Sequence, residues 1–395
     1  MDGVVVVPEV VRSALRRGVG SVLVDAAALR RVRERFDEGQ AASLGRYLEA
    51  SQSANTVRAY RSDWVAWAAW CAAEGRTALP ADALDVAVYL AAVADARKAN
   101  GAWAFSPATV ERKSAAIAAV HAANGLPSPT RTDVVRLTLR GIRRTRRAAP
   151  TRKRPVLLHT LDQLLAELPE SGWPTEPARR RDTLMLLVGF AGALRRSELA
   201  GLRVRDVRVT LDHATGEPVL IVQLPSTKTD PTGASEQRVA LPRGQRPRTC
   251  PVCAFADWVR LLEIHTAARE LREFCERPLD NTIHRCHGFT GTPLADHPDL
   301  PLFPAINRHG GIGARSISGR AVAELIKRYA ARAGLDPALF SGHSLRAGFA
   351  TQAALGGASD REIMRQGRWS NPRTVHGYIR TANPLEDNAV TKLGL

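Results

Sequence analysis

Ser341-Gly342-His343-Ser344-Leu345-Arg346 is the segment from which the rest of this chain can be read. Gly342 permits a tight entry into a helix, and His343 and Arg346, three apart, then project to one side of it. Alone, a His-x-x-Arg is a common helix start. Its weight comes from residues downstream at fixed distance: Met364-x-x-Gly367-x-Trp369, then Tyr378 in His376-Gly377-Tyr378-Ile379-Arg380. Far upstream, Gly192-Ala193-Leu194-Arg195-Arg196-Ser197-Glu198-Leu199 supplies a further arginine. One imidazole, two guanidiniums and a phenol can grip a phosphodiester and attack it. The guanidiniums offer permanently charged forks to its oxygens, and the phenol offers a nucleophile.

The composition points the same way. The chain has 395 residues and a formal net charge of +17, with 45% apolar residues. That length suggests two domains plus an appendage. Such an excess of positive charge implies a polyanionic partner, because each phosphate neutralised releases counterions. An anionic membrane is the rival partner, but no apolar stretch is long enough to span a bilayer. The short Val4 to Val7 run lacks the basic flank and cleavage site of a signal peptide, so the expected location is the cytoplasm, with the DNA. Only six of the 56 basic residues are lysines, which singles out Lys228 in Thr227-Lys228-Thr229. Five cysteines form no even disulfide framework. Cys250-Pro251-Val252-Cys253 has metal-ligand spacing, but Cys275, His284, Cys286 and His287 trail it irregularly. The expectation is therefore a reduced structural turn leading into a helix at Ala254, with no metal. A phosphate-binding glycine loop and a magnesium-binding carboxylate cluster are both missing from the sequence, so no cofactor is expected.

Along the chain, residues 1–50 read as an appendage and 51–147 as a helical, DNA-binding domain. Val57, Tyr60, Trp64, Trp67 and Cys71 recur at helical spacing, and their tryptophans are expected in the core. Ser106-Pro107 caps a third helix, and a fourth spans about 133–147. Arg136, Arg140, Arg143, Arg144 and Arg147 form a stripe there, continued by Arg152, Lys153 and Arg154 in a basic linker at 148–158. Residues 131–154 hold ten basic residues against the single acid Asp133, and solvated faces normally mix signs. Contact with the phosphate backbone is the better reading. Residues 159–382 form the second domain, expected to open at a Thr160-x-x-Gln163 capping box. Its apolar helix spans 181–201, strands at 205–211, 219–224 and 238–241 suggest an antiparallel meander, and 278–302 is an irregular insertion. Further helices are expected at about 254–275, 319–333, 343–355, 360–366 and 372–380. Residues 383–395 form a tail. The fold class is mainly α with a small antiparallel sheet, α+β.

From about Ser53 to Tyr378 the chain resembles the tyrosine recombinases, the family of phage integrases and chromosome-dimer resolvases, and within it the Cre-like branch. The resemblance rests on Ser341-Gly342-His343-Ser344-x-Arg346, Met364-x-x-Gly367-x-Trp369 and Tyr378-Ile379-Arg380. It implies a core-binding domain and a catalytic domain that clamp a DNA half-site, with a dimer per site and a homotetramer on two sites. It also implies that the tail docks on a neighbouring protomer. Carried over by position, Arg195 rather than Arg196 matches the first catalytic arginine, because Leu194 precedes it and Ser197-Glu198-Leu199 lies just beyond. Glu198 matches a supporting acid, Lys228 the lysine in the turn between the second and third strands, His343 and Arg346 the central pair, and Tyr378 the nucleophile. Most members have histidine where this chain has Trp369. An indole donates one hydrogen bond and carries no proton traffic, which leaves that to His343 and Lys228. Two other readings stay open: a type IB topoisomerase-like activity, and a catalytically silent DNA-binding accessory protein. A zinc-dependent binding module is a third.

Overall fold

The computed structural model describes residues 54–146, 153–224, 237–267, 270–277 and 293–379, most of 279–291, and positions 37, 39, 40, 390 and 393. Two compact units emerge, Met1–Thr151 and Arg152–Leu395. The appendage at 1–50 and the tail at 383–395 fall almost wholly outside the described residues.

Among the described residues of the first unit, four α-helices enclose an aromatic core: α1 (Ala54–Ala73), α2 (Ala83–Asp95), α3 (Pro107–Ala123) and α4 (Asp133–Thr145). Asp82 caps α2 by accepting from the Leu84 and Asp85 amides, and Ser106 caps α3 by accepting from Thr109. Trp64, Trp67 and Cys71 are buried, as their spacing predicts, with Tyr89, Leu90, Val110 and Ile117. Trp67 meets Tyr89 edge-on at 5.1 Å, and its indole N–H donates to the Ala78 carbonyl at 3.1 Å. Beneath this layer Asp63, 3% exposed, accepts from Arg112 at 2.7 Å and pairs with Lys113 at 3.2 Å.

The second unit is built on α6 (Glu176–Ala191), preceded by α5 (Leu158–Ala166) and succeeded by α7 (Arg196–Gly201). Leu184 to Val188 are buried in unbroken succession, so α6 is a central helix with no solvent face. Its charged first turns are buried too, and largely paired: Arg180 Nε reaches Glu176 Oε1 at 2.6 Å, and the Tyr329 hydroxyl donates to Asp182 at 2.6 Å. The meander appears as β1 (Val207–Leu211), β2 (Pro218–Leu224) and β3 (Gln237–Pro242), in the order β1-β2-β3. Val207 faces Val222, and Leu220 faces Leu241. β2 alternates strictly, with Leu220, Val222 and Leu224 turned to the core.

Next come α8 (Pro251–Thr266), α9 (Leu271–Glu276), β4 (Pro304–Ile306), β5 (Ile312–Ser316) and α10 (Gly319–Arg332). The last helices among the described residues are α11 (Ser344–Leu355), α12 (Asp360–Gly367) and α13 (Pro372–Tyr378). Four features differ from expectation, the first being that the apolar helix predicted over 181–201 is broken at the Ala193 turn into α6 and α7. The helix predicted over 254–275 is two helices, and the β4–β5 pair has no counterpart in the sequence reading. Thr160 is no cap: α5 starts two residues earlier, and Thr160 is buried within it. The Leu158 amide is satisfied instead by the Gln352 side chain of α11 at 3.0 Å, so a tertiary contact takes the place of a local one.

Candidate active site

Three chain reversals deliver the site. α6 ends at Ala191, and Ala193 then adopts a left-handed φ of 47°. That turn leads to Arg195 in extended backbone at the head of α7. Glu198, one turn into α7, folds back: Oε2 accepts the Arg195 amide at 2.9 Å and Oε1 takes its guanidinium at 2.5 Å. Arg195 is thereby aimed inward, while Arg196 is exposed and lies against Gly342, where a Cβ would sit 2.8 Å from Arg196 Cδ.

α11 brings Arg346, 2% exposed, to the same point. One Nη donates to the Ala193 carbonyl, and the guanidinium carbon lies 4.0 Å from the Trp369 ring centroid. Gly348 lets α11 lie against the segment before α5, because a Cβ there would fall 1.9 Å from the Val156 carbonyl oxygen. α12 then stops at Arg368, which has a left-handed φ of 55°. Its guanidinium turns inward, donating to Glu198 Oε2 at 3.0 Å and to the Gly192 carbonyl at 3.2 Å. Gly367 makes room for the indole: a Cβ would sit 1.8 Å from Trp369 Cζ3. α13 ends at Tyr378, whose ring lies 5.4 Å from Trp369 and whose carbonyl accepts from Thr351 at 3.0 Å.

Arg195 and Arg368 thus share one buried carboxylate, and the buried Arg346 guanidinium lies near enough to feel its charge. Burial, together with repulsion from Arg195 and Arg368, pushes the Arg346 guanidinium down to about 9. Glu198 and the Tyr378 phenol oppose that shift, which puts the phenol within electrostatic reach of Arg346. Burial likewise lowers Arg368. Arginine begins so basic that both remain cations at neutral pH. The shift measures an excess of positive potential that an incoming anion would relieve. Arg346 Nη2 and Arg368 Nε are buried with no hydrogen-bond partner among the described residues. Buried N–H groups are ordinarily satisfied, so Arg346 and Arg368 each keep a donor that lacks an acceptor.

Arg195, Glu198, Arg346, Trp369 and Tyr378 are therefore brought together. His343 lies one turn ahead of Arg346 as the exposed N-cap of α11, its amide donating to Ser341 Oγ at 3.2 Å. Lys228, which falls between β2 and β3 in the sequence, lies outside the described residues. Arg368 is the participant missed from the sequence. It stands in the variable position of Gly-x-Trp, and nothing local announces that a non-glycine residue there will be left-handed.

On α4, Arg136, Arg140, Arg143 and Arg144 are exposed while Val135, Leu139 and Ile142 face the core. The Arg136–Asp133 contact at 3.4 Å and the Arg143–Glu111 contact at 3.1 Å are exposed, and hold these side chains only weakly. Arg146 differs, turning inward to the Phe105 carbonyl at 2.7 Å and stacking on Trp103 at 4.0 Å. Lys153 donates to the Ala338 carbonyl at 2.6 Å and Arg154 is exposed, whereas Arg147 and Arg152 lie outside the described residues. No helix among the described residues is long and apolar enough to cross a membrane.

No protein-family model matches the chain. It is 32% identical over 351 residues to an integrase/recombinase XerD homolog of Selenomonas ruminantium, covering 88% of each chain. It is 25% identical over 340 residues to the Cre recombinase of Escherichia phage P1, covering 83% of this chain and 84% of that one. Among solved structures, the XerH site-specific recombinase bound to a palindromic difH substrate, in a post-cleavage complex, matches with a TM-score of 0.51. That likeness covers 97% of this chain and 94% of the other at 14% identity, and it is one of fold.

Proposed function

The chain belongs to the tyrosine recombinases, enzymes that cut and rejoin DNA strands, and from that premise we propose that Tyr378 is its nucleophile on a specific double-stranded site. In this reading the scissile phosphate enters beside Arg346 and supplies the acceptor that its Nη2 lacks. Arg195 and Arg346 grip its non-bridging oxygens, and the Trp369 indole N–H adds a donor. Charge builds on those oxygens as phosphorus becomes five-coordinate, so fixed cations stabilise the transition state more than the ground state. The Tyr378 oxygen attacks in line, forming a 3′-phosphotyrosyl ester as the bond to the 5′-oxygen breaks. Lys228 gives a proton to that leaving oxygen, and His343 is placed beside Arg346 to help take the phenol's proton. A 5′-hydroxyl of the partner duplex then reverses the step. The ester conserves the bond energy, so neither ATP nor a metal is required for the chemistry.

Glu198 and Arg368 act through Arg195 and the Ala193 turn rather than on the phosphate. Tyr378 rests beside Trp369 of its own chain, which supports attack within one protomer. Exposed arginines of α4, with Lys153 and Arg154, would track the phosphate backbone, and a dimer on each of two sites would make the working tetramer. The observation that carries this reading is the buried, unpartnered Arg346 Nη2 in a pocket with excess positive charge next to a phenol. A nicked DNA site that cannot religate tests it. The wild-type chain should accumulate a covalent protein–DNA adduct, and Tyr378→Phe should bind the same DNA and form none. An adduct that persists in Tyr378→Phe would move the nucleophile elsewhere.

A further inference from the structure

Away from the active site, four metal-ligating side chains meet at the head of α8. Cys250 is the N-cap of that helix and Cys253 lies one turn in, while His284 and Cys286 come from the insertion between α9 and β4. The ligand atoms of these four residues all lie within 4.8 Å of one another. His284 Nδ1 is 3.4 Å from Cys253 Sγ and 3.9 Å from Cys286 Sγ. A tetrahedral zinc ion has Zn–S of about 2.3 Å and Zn–N of about 2.0–2.1 Å, which sets S···N edges of about 3.6 Å and S···S edges of about 3.8 Å. The two observed edges bracket the first value, and the widest separation leaves about 1 Å to be closed by side-chain rotation.

The surroundings are arranged for sulfur ligands. Backbone amides of Gly244 and Cys253 approach Cys250 Sγ at 3.4 and 3.5 Å, and the Arg285 amide approaches Cys253 Sγ at 3.4 Å. Such donors, with the positive end of α8, are outer partners of the kind that support sulfur bound to a cation. Gly244 is needed for the approach, since a Cβ there would lie 2.9 Å from Cys250 Cα. Arg285, between the two ligands of the insertion, forms a two-pronged pair with Asp257 of α8 at 2.9 and 2.6 Å, pinning the ligand segment to the helix. A reduced turn at Cys250–Cys253 accounts for two buried thiols. It leaves unexplained why an imidazole and a third buried thiol arrive from about thirty residues further on to face them.

We propose that Cys250, Cys253, His284 and Cys286 bind one structural zinc ion. With all four positions taken by protein, no coordination site remains for water or DNA, so the ion's work is to hold the fold. It would fasten the insertion to α8, and the insertion in turn pairs Gly291 with Val209 of β1 and Pro301 with Arg203. The active-site chemistry stays free of metal.

Zinc content of the full-length protein, purified without chelator, tests this. About one equivalent per chain is expected, lost in Cys286→Ser and in His284→Asn but retained in Cys275→Ser, whose thiol lies outside the cluster. Chelator-stripped wild-type protein should take up one equivalent of cobalt and show tetrahedral visible bands with thiolate charge transfer. This arm stands even if the variants fail to fold. Unfolding on stripping that reverses on adding zinc would support the proposal equally. A stripped protein that stays folded and gives no tetrahedral cobalt spectrum would overturn it, as would metal retained undiminished in both Cys286→Ser and His284→Asn.

Discussion

Glu198 is the residue on which the charge balance of the pocket depends. Its two oxygens are shared between Arg195 at 2.5 Å and Arg368 at 3.0 Å, and it is 8% exposed. Glu198→Gln would leave the Arg195 and Arg368 guanidiniums without their carboxylate, beside the buried Arg346. Breaking a buried pair from one side costs about 3–5 kcal/mol, because the surviving charge is stranded. Urea unfolding should show that loss as a lower midpoint at unchanged slope. Arg368→Gly should behave differently. It relieves a left-handed backbone and leaves Arg195 paired, but it strips donors from Glu198 and the Gly192 carbonyl, so stability should fall by less than in Glu198→Gln. Freed of its second partner, however, Glu198 would be drawn wholly toward Arg195. Adduct formation should slow by roughly tenfold, a loss of about 1.4 kcal/mol in transition-state stabilisation, while DNA binding is kept. An unchanged rate would reduce Arg368 to a plug in the turn.

Among the elements, the end of α12 holds Trp369 in place. Gly367→Ala would put a methyl group 1.8 Å from the indole, forcing it off both Arg346 and Tyr378. Displacing a reacting group by about 1 Å can cost on the order of 100-fold, so adduct formation should fall by about that much with binding intact. A wild-type rate would mean that the indole's position does not matter. Elements were legible in the sequence where periodicity or local chemistry fixes them. The Ser106-Pro107 start, the alternating β2 and the helices α10 to α13 all emerged within a residue or two. Where long-range contacts rule, the sequence was silent or misleading: Gln352 supplanted a Thr160 cap, and the short β4–β5 pair has too few residues to show a period. The same divide runs through the site. Arg195, Arg346, Trp369 and Tyr378 stand in readable motifs, but Arg368 acquires its role only from a backbone conformation set by the fold.

At the scale of the whole molecule, two properties arise from how charge is distributed. His121, buried in the first unit, accepts the Ala81 amide on Nε2 at 2.9 Å and so donates from Nδ1 to the Ile117 carbonyl at 2.8 Å. Both nitrogens are committed in the neutral form, and burial lowers its pKa below the ordinary 6.5. The unfolded chain therefore binds this proton first. Stability is full above pH 6.5 and should fall as pH drops below it, by up to about 1.4 kcal/mol per pH unit, until the folded-state pKa is reached. A His121→Gln chain lacking that slope would confirm the source, and an unaltered slope would assign it elsewhere. The second property is the exposed face of Arg136, Arg140, Arg143 and Arg144 on α4, which adds charge without adding core. If these side chains meet phosphates, Arg140→Ala and Arg144→Ala should each weaken DNA binding about equally for target and unrelated sequences. Each should also lower the slope of log K against log salt by about 0.9. Cleavage of DNA already bound should proceed at the wild-type rate, because neither residue belongs to the pocket around Arg346. A salt slope unchanged in both would leave the positive face of α4 without contact to DNA and place the phosphate grip in the second unit.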